Sequence, residues 1–179
     1  MTTSPPSNSS GQASSGFLRL HPGGQKWIWQ QKWPALRLNL EAGDDADEAV
    51  DPQDEIDIAA HLFRVLRGDT NLIFINSRSD VESYTDRLRR LSEQERVPNE
   101  FLPHHGSLSK DIREEAEQAL KRDQPANVIC TTTLELGIDV GAVKSIAQVG
   151  APFSVASTRQ RLGRSGRKEG DPAIIRFYI

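Results

Sequence analysis

Residues 127–170 read NVICTTTLELGIDVGAVKSIAQVGAPFSVASTRQRLGRSGRKEG, and the order of parts in that stretch sets the fold. A short apolar run, Val128-Ile129-Cys130, has the length and composition of a buried strand. A loop of hydroxyls and glycines follows it, then a second apolar strand from Ser145 to Val149. Next comes a run of arginine and glycine: Arg159, Gln160, Arg161, Gly163, Arg164, Gly166, Arg167 and Lys168. Five positive charges and no acid lie between Arg159 and Lys168. If Ser154 to Gly166 is helical, Gln160, Arg164 and Arg167 share one face, where like charges repel. An anionic partner relieves that repulsion. Arginine suits phosphate because its rigid fork of donors matches phosphate oxygens and stays charged. Gly163 and Gly166 weaken a helix but let backbone come close to a ligand. The plain alternative is a solvated cationic face.

Working outward, strands alternate with helices. Leu72-Ile73-Phe74-Ile75 is an unbroken apolar run, as in a strand covered on both faces. Ser79 with Glu82 forms a capping box, and Val81, Tyr84, Leu88 and Leu91 give a helical stripe. Phe101-Leu102 starts a strand that ends at His104-His105-Gly106. Ser109 caps a helix striped by Ile112, Ala116, Ala119 and Leu120. Ala173 to Tyr178 makes a fifth strand. With no hairpin signal between these strands, the pattern predicts an α/β fold: a parallel sheet flanked by helices. Ligands of such sheets bind beyond the carboxyl ends of the strands. Asn76-Ser77-Arg78, His105-Gly106-Ser107, Thr131-Thr132-Thr133 and Gly150 all fall there.

The front of the chain differs. Residues 1–16 hold six serines, two prolines and two glycines, and are expected to be a disordered lead. Residues 17–53 are expected to form a tryptophan-containing strand, with Trp27, Trp29 and Trp33 and the half-buried alternation of Leu36, Leu38 and Leu40, followed by an acidic linker. The tryptophans could stack on bases, though packing is their commoner use. Nine acids and no base occupy residues 41–57, so the rest of the chain sums to +6 although the whole carries −3. A mildly basic domain behind an acidic segment suits nucleic acid. A helix with Ile56, Ala59, Ala60, Phe63 and Leu66 on one face then runs to Gly68. One cysteine excludes a disulfide framework, and four scattered histidines give no zinc spacing. No apolar stretch approaches the ~18 residues of a membrane span, and the expected compartment is the cytoplasm.

Gln160 to Arg167 resembles motif VI of superfamily 2 helicases, Gln/His-Arg-x-Gly-Arg-x-Gly-Arg. Thr131 through Asp139 resembles their motif V, Leu72 through Arg78 their motif IV, and His105-Gly106-Ser107-Leu108-Ser109 the His-Gly segment between them. The wording of TLELGID and HHGSLS is similar to that of large helicase-related (Lhr-type) proteins. The resemblance covers about residues 54–179 and implies the second RecA-like motor domain of a DEAD/DEAH-box helicase. It further implies that Arg164 and Arg167 are arginine fingers reaching an ATP held by a partner domain, with Gln160 near its γ-phosphate. Gly137 and Asp139 would approach the nucleotide; the alternative for Asp139 is a turn residue. Arg78, Gly106, Ser107, Lys110, Arg113, Thr131 and Thr132 would meet the sugar-phosphate of a single- or double-stranded nucleic acid. Lys110 departs from the glutamine found in many DEAD-box relatives, and Arg78 has a surface salt bridge as an equal alternative.

The chain contains no Gly-x-x-x-x-Gly-Lys-Ser/Thr loop and no acidic box after an apolar strand. In these motors such parts, which hold the triphosphate and Mg2+, belong to a first RecA-like domain. The leading expectation is therefore half of an ATP-dependent helicase or translocase, inactive without the other half. A second is an adapter that binds nucleic acid and has lost the engine. A Rossmann-type small-molecule enzyme ranks last, because Asn76-Ser77-Arg78-Ser79 supplies no glycine-rich loop. The serine-rich start and the finish at Ile179 fit a truncated or split gene product.

Overall fold

The computed structural model describes residues 16–20, 27–31, 52–135, 141, 143–166 and 172–178, with side chains described from residue 58 onward. The readings made for 1–15, the Leu36–Leu40 alternation and the acidic run up to residue 51 lie outside the described residues, as do Gly137, Asp139 and Arg167. Among the described residues, seven strands form one sheet: β1 (Gly16–Leu20), β2 (Trp27–Gln31), β3 (Asn71–Phe74), β4 (Phe101–His104), β5 (Asn127–Cys130), β6 (Ser145–Val149) and β7 (Ile174–Tyr178). Their spatial order is β2-β1-β7-β6-β3-β5-β4. The five strands β7, β6, β3, β5 and β4 run parallel, as the strand–helix alternation predicts. β1 adds antiparallel to β7 and pairs antiparallel with β2, an extension that the sequence reading did not foresee.

Helices α1 (Pro52–Leu66), α2 (Arg78–Gln94), α3 (Lys110–Ala119) and α4 (Val155–Leu162) cover the parallel part. Alternate residues of β3 enter two cores, as the period of two along a strand requires. Ile73 and Ile75 pack with Leu62 and Phe63 of α1 and with Val81, Tyr84 and Leu88 of α2. Leu72 and Phe74 pack on the other face with Ala116, Leu120 and Leu162. Each such fully buried side chain contributes about 1.5–3 kcal/mol of transfer free energy. Pro103, which lacks a ladder donor, sits in β4 at the sheet edge. Among the described residues, no helix is long and apolar enough to cross a membrane.

Three local readings need correction. The cap of α2 is Ser77, whose hydroxyl accepts from Asp80 N at 3.1 Å, so Ser79 falls inside the first turn. Ile112 is 42% exposed; only Ala116 and Leu120 of the expected α3 stripe are buried. On α1, Ile58 and Leu62 join Ala59, Phe63 and Leu66 in the core, while Ala60 sits half-buried beside the stripe. The breaker Gly68 adopts φ +81°, a left-handed conformation that suits glycine.

Cys130 closes β5 with no solvent exposure, and burial pushes its thiol above the ordinary range. The folded chain keeps this proton where the unfolded chain begins to release it. Stability should therefore fall as pH rises through the ordinary thiol value, and a thiol reagent should label Cys130 only after denaturation. Labelling of the native chain at the rate of a free thiol would contradict the packing.

Candidate nucleotide and nucleic-acid face

In a doubly wound sheet the ligand crevice opens where neighbouring strands send their connections opposite ways. Here β3 leads toward β4 on one side and β6 leads toward β7 on the other, so the crevice lies beyond the carboxyl ends of β3 and β6. Asn76 and Ala151 meet across it, with Asn76 Nδ2 donating to the Ala151 carbonyl at 2.9 Å. Gly150 turns at φ +76°, and a Cβ there would stand 3.0 Å from Asn76 Nδ2. A side chain is thus excluded at the crevice floor.

Beyond β4 and β5, the expected sugar-phosphate residues come partly together. Arg78 Nη1 donates to Ser107 Oγ at 2.7 Å, which joins the start of α2 to the loop after β4. Gly106 precedes Ser107 and has open space where a side chain would stand. Ser109 Oγ accepts from Ile112 N at 3.5 Å and caps α3, whose amino end therefore faces the same edge. On α3, exposed Lys110 pairs with Glu114 at 3.4 Å, a surface contact of little strength. Half-buried Arg113 has a buried Nε with no hydrogen-bond partner among the described residues.

Thr131 begins the short 3-10 turn Thr132–Leu134 after β5, and Thr132 is exposed. The turn is anchored from two sides. Thr133 Oγ1 donates to the His104 carbonyl at 3.2 Å and lies 2.8 Å from His104 Nδ1. His104 Nε2 in turn lies 3.0 Å from Glu117 Oε1 on α3. His105 turns to the opposite face, where Nδ1 accepts from Ser107 N at 3.3 Å. Its Nε2 is 3.2 Å from Glu82 Oε1 without making a hydrogen bond to it. The two adjacent histidines thus serve different neighbours, as alternation along a strand dictates.

The second anchor is Glu135, which the sequence reading passed over. Its amide donates to the Thr132 carbonyl at 3.0 Å and closes the turn. Its carboxylate is buried, accepting from Ser157 Oγ at 2.6 Å and from Arg161 Nη2 at 3.0 Å. Arg161 is only 1% exposed. Besides Glu135, it donates to Gln148 Oε1 and lies over the Phe74 ring at 4.6 Å. Gln148 completes the network by donating to the Gly150 carbonyl at 3.1 Å, back at the crevice floor. An acid within TLEL and the first arginine of QRLGR were the available signals. Neither shows its burial, which depends on β6 and α4 packing together.

Two expectations about the arginine run change. α4 stops at Leu162, with Gly163 as its cap, so Arg164 lies past the helix and does not share its face with Gln160. Ser165 explains the stop: its hydroxyl donates to the Leu162 carbonyl at 3.1 Å and accepts from Ile174 N at 3.1 Å, while its backbone bridges to Val143. Gly166 follows at φ +66°, where a Cβ would sit 2.5 Å from Ala173 N. Arg164 also departs from the extended finger of the expectation. It is 9% exposed, and its guanidinium turns in to the Glu135 carbonyl, with Nη2 at 2.8 Å and Nε at 3.3 Å. The inward turn ends on the loop after β5. Gln160 is exposed on α4.

Known proteins resemble the chain in sequence and in fold. The ATP-dependent helicase Lhr-Core of Methanothermobacter thermautotrophicus is 40% identical over 99 residues, covering 55% of this chain and 12% of that protein. The Lhr helicase/uracil glycosylase of Escherichia coli is 38% identical over 144 residues, covering 65% of this chain and 9% of its own length. The chain thus spans roughly a tenth of these curated relatives. Among solved structures, Mycobacterium smegmatis helicase Lhr bound to ssDNA and AMP-PNP aligns with a TM-score of 0.60 and 37% identity, over 68% of this chain and 16% of that one. The C-terminal domain of the DEAD-box protein Dbp5 shares the fold, with a TM-score of 0.57 at 20% identity over 71% of this chain and 70% of its own. A family model, the helicase conserved C-terminal domain, matches residues 54–169. The chain belongs to the helicase conserved C-terminal domain family.

Proposed function

We propose that the chain is the second motor half of an ATP-dependent nucleic-acid helicase or translocase. The observation that carries this reading is the link between Arg164 and the turn after β5, made through the single residue Glu135 at the sheet's carboxyl edge. One side of that turn presents Thr131 and Thr132, beside Arg78, Gly106, Ser107, Lys110 and Arg113, to a phosphate backbone. The other side holds the arginine that faces a nucleotide. The mycobacterial relative's complex with single-stranded DNA and AMP-PNP supports both ligands.

ATP supplies a γ-phosphoryl group whose transfer develops charge on its oxygens. The residues here fit the donor side of that chemistry. Arg164 has a fork of donors beside the crevice, and Arg167, Gln160, Gly137 and Asp139 extend the set by motif position. Phosphate-loop residues and the acids that hold Mg2+ would come from a first RecA-like domain. Bringing the two halves together would release Arg164 from a neutral carbonyl to a polyanion, a better acceptor for a guanidinium. The backbone contacts would carry no base information, so strands of different sequence should bind alike.

The reading is tested by joining the chain to a first motor domain that bears the phosphate loop. The chain alone should hydrolyse no ATP, and the joined protein should show ATPase stimulated by single-stranded nucleic acid. Strand binding without any stimulated ATPase in the joined protein would instead identify an adapter that has lost its engine.

A further inference from the structure

We propose that Glu135 is a positioning residue that transmits nucleic-acid engagement to Arg164. The inference rests on the motor reading above and assigns its internal coupling. Three features carry it. The acceptor of Arg164 is a main-chain carbonyl, and it belongs to the residue that closes the strand-facing turn: Glu135 N bonds the Thr132 carbonyl at 3.0 Å, and Glu135 O accepts from Arg164 Nη2 at 2.8 Å. A phosphate that shifts Thr131 or Thr132 therefore moves the atom that holds Arg164. Second, the Glu135 side chain is pinned away from the strand, by Ser157 at 2.6 Å and by Arg161 at 3.0 Å. Displacement of the turn is thereby expressed as rotation of the Glu135 peptide rather than as free drift of the residue. Third, the surroundings are dry: Glu135 is 8% exposed and Arg161 is 1% exposed. In a close-packed interior a small shift at one end is transmitted rather than absorbed.

The link has a direction. With the strand absent, the carbonyl keeps Arg164 turned in. With the strand bound, the carbonyl swings and Arg164 is released toward the crevice, where a nucleotide in the partner half would take it. Strand-stimulated hydrolysis follows from that sequence, without a contact between the two ligands.

The test uses the chain itself with arginine side chains labelled by nitrogen-15, titrated with an oligothymidylate of about a dozen nucleotides, within the usual single-strand site size. At saturation the Nε–H resonances of Arg78 and Arg164 should both shift. In Glu135→Gln and in Ser157→Ala, the Arg78 shift should persist and the Arg164 shift should be lost or much reduced. Glu135→Asp, which keeps the charge, should restore part of it. Ser157→Ala keeps the ion pair, so it carries the test if Glu135→Gln does not fold. Reading the shift at saturation separates coupling from affinity. An Arg164 resonance that stays still while binding saturates would overturn the inference and leave the motor reading standing, as would one that moves equally in all variants. No oligothymidylate binding at all would overturn the strand-facing assignment beneath it.

Discussion

Arg164→Ala, in the chain joined to a first motor domain, should lower strand-stimulated ATPase by about 10³–10⁵-fold, the usual worth of an arginine finger. The size follows from what the guanidinium does. In the motor reading it would add a fixed positive charge beside the transferred phosphoryl group, where charges act strongly once water is excluded. Arg164→Lys should recover little, because an ammonium keeps the charge but loses the planar fork. Strand affinity of the chain alone should change far less, since Arg164 lies inward while Arg78 and Lys110, the proposed backbone contacts, are exposed. Steady-state hydrolysis and strand binding on the same preparations check the two halves of the prediction. Equal loss in both would make Arg164 a structural residue.

Arg161→Ala should cost about 3–5 kcal/mol of folding stability, read as a fall in the urea midpoint. Arg161 is the bulkiest fully buried side chain among the described residues. Its removal leaves the Glu135 carboxylate without its ionic partner, still accepting from the Ser157 hydroxyl at 2.6 Å. It also uncovers the Phe74 ring and frees Gln148 Oε1. Replacing both ends of the pair with apolar residues of similar volume should restore much of the loss, because an empty buried pair costs less than a broken one. A single substitution costing under about 1 kcal/mol would place Arg161 with the exposed ion pairs. The Arg89–Asp86 pair on α2 is such a case. Its partner holds the Asp86 carboxyl below the usual range, yet both side chains are well exposed.

The elements legible in the sequence were those whose side chains face one environment along their whole length. β3 is covered on both faces and reads as an unbroken apolar run from Leu72 to Ile75. α2 buries one stripe, and Val81, Tyr84 and Leu88 mark it at helical spacing. Ser109 could be read as a cap because the cap is a local interaction. The end of α4 could not, because Ser165 stops it by bonding Ile174, nine residues on in another strand. Glu135 and Arg161 escaped notice for a similar reason. A buried ion pair looks like surface charge until the elements around it are packed. The β1–β2 pair was missed because its two strands carry no tight-turn dipeptide at hairpin spacing; the six residues between them include Pro22-Gly23-Gly24, a breaker cluster rather than a two-residue turn. Spacing singled out the motif arginine Arg164. Its inward turn was not foreseen, since spacing says where a side chain begins and not which acceptor it finds.

The central claim is that the carboxyl edge of this sheet is a surface for phosphate, and salt dependence of single-strand binding tests it most directly. Affinity of the chain for oligothymidylate, measured across a range of salt, should fall with a log–log slope of about −0.7 for each phosphate neutralised. Arg78→Ala and Lys110→Ala should each flatten that slope by roughly one contact, with no change in base preference. Affinity that ignores salt, or a slope untouched by either substitution, would contradict the account.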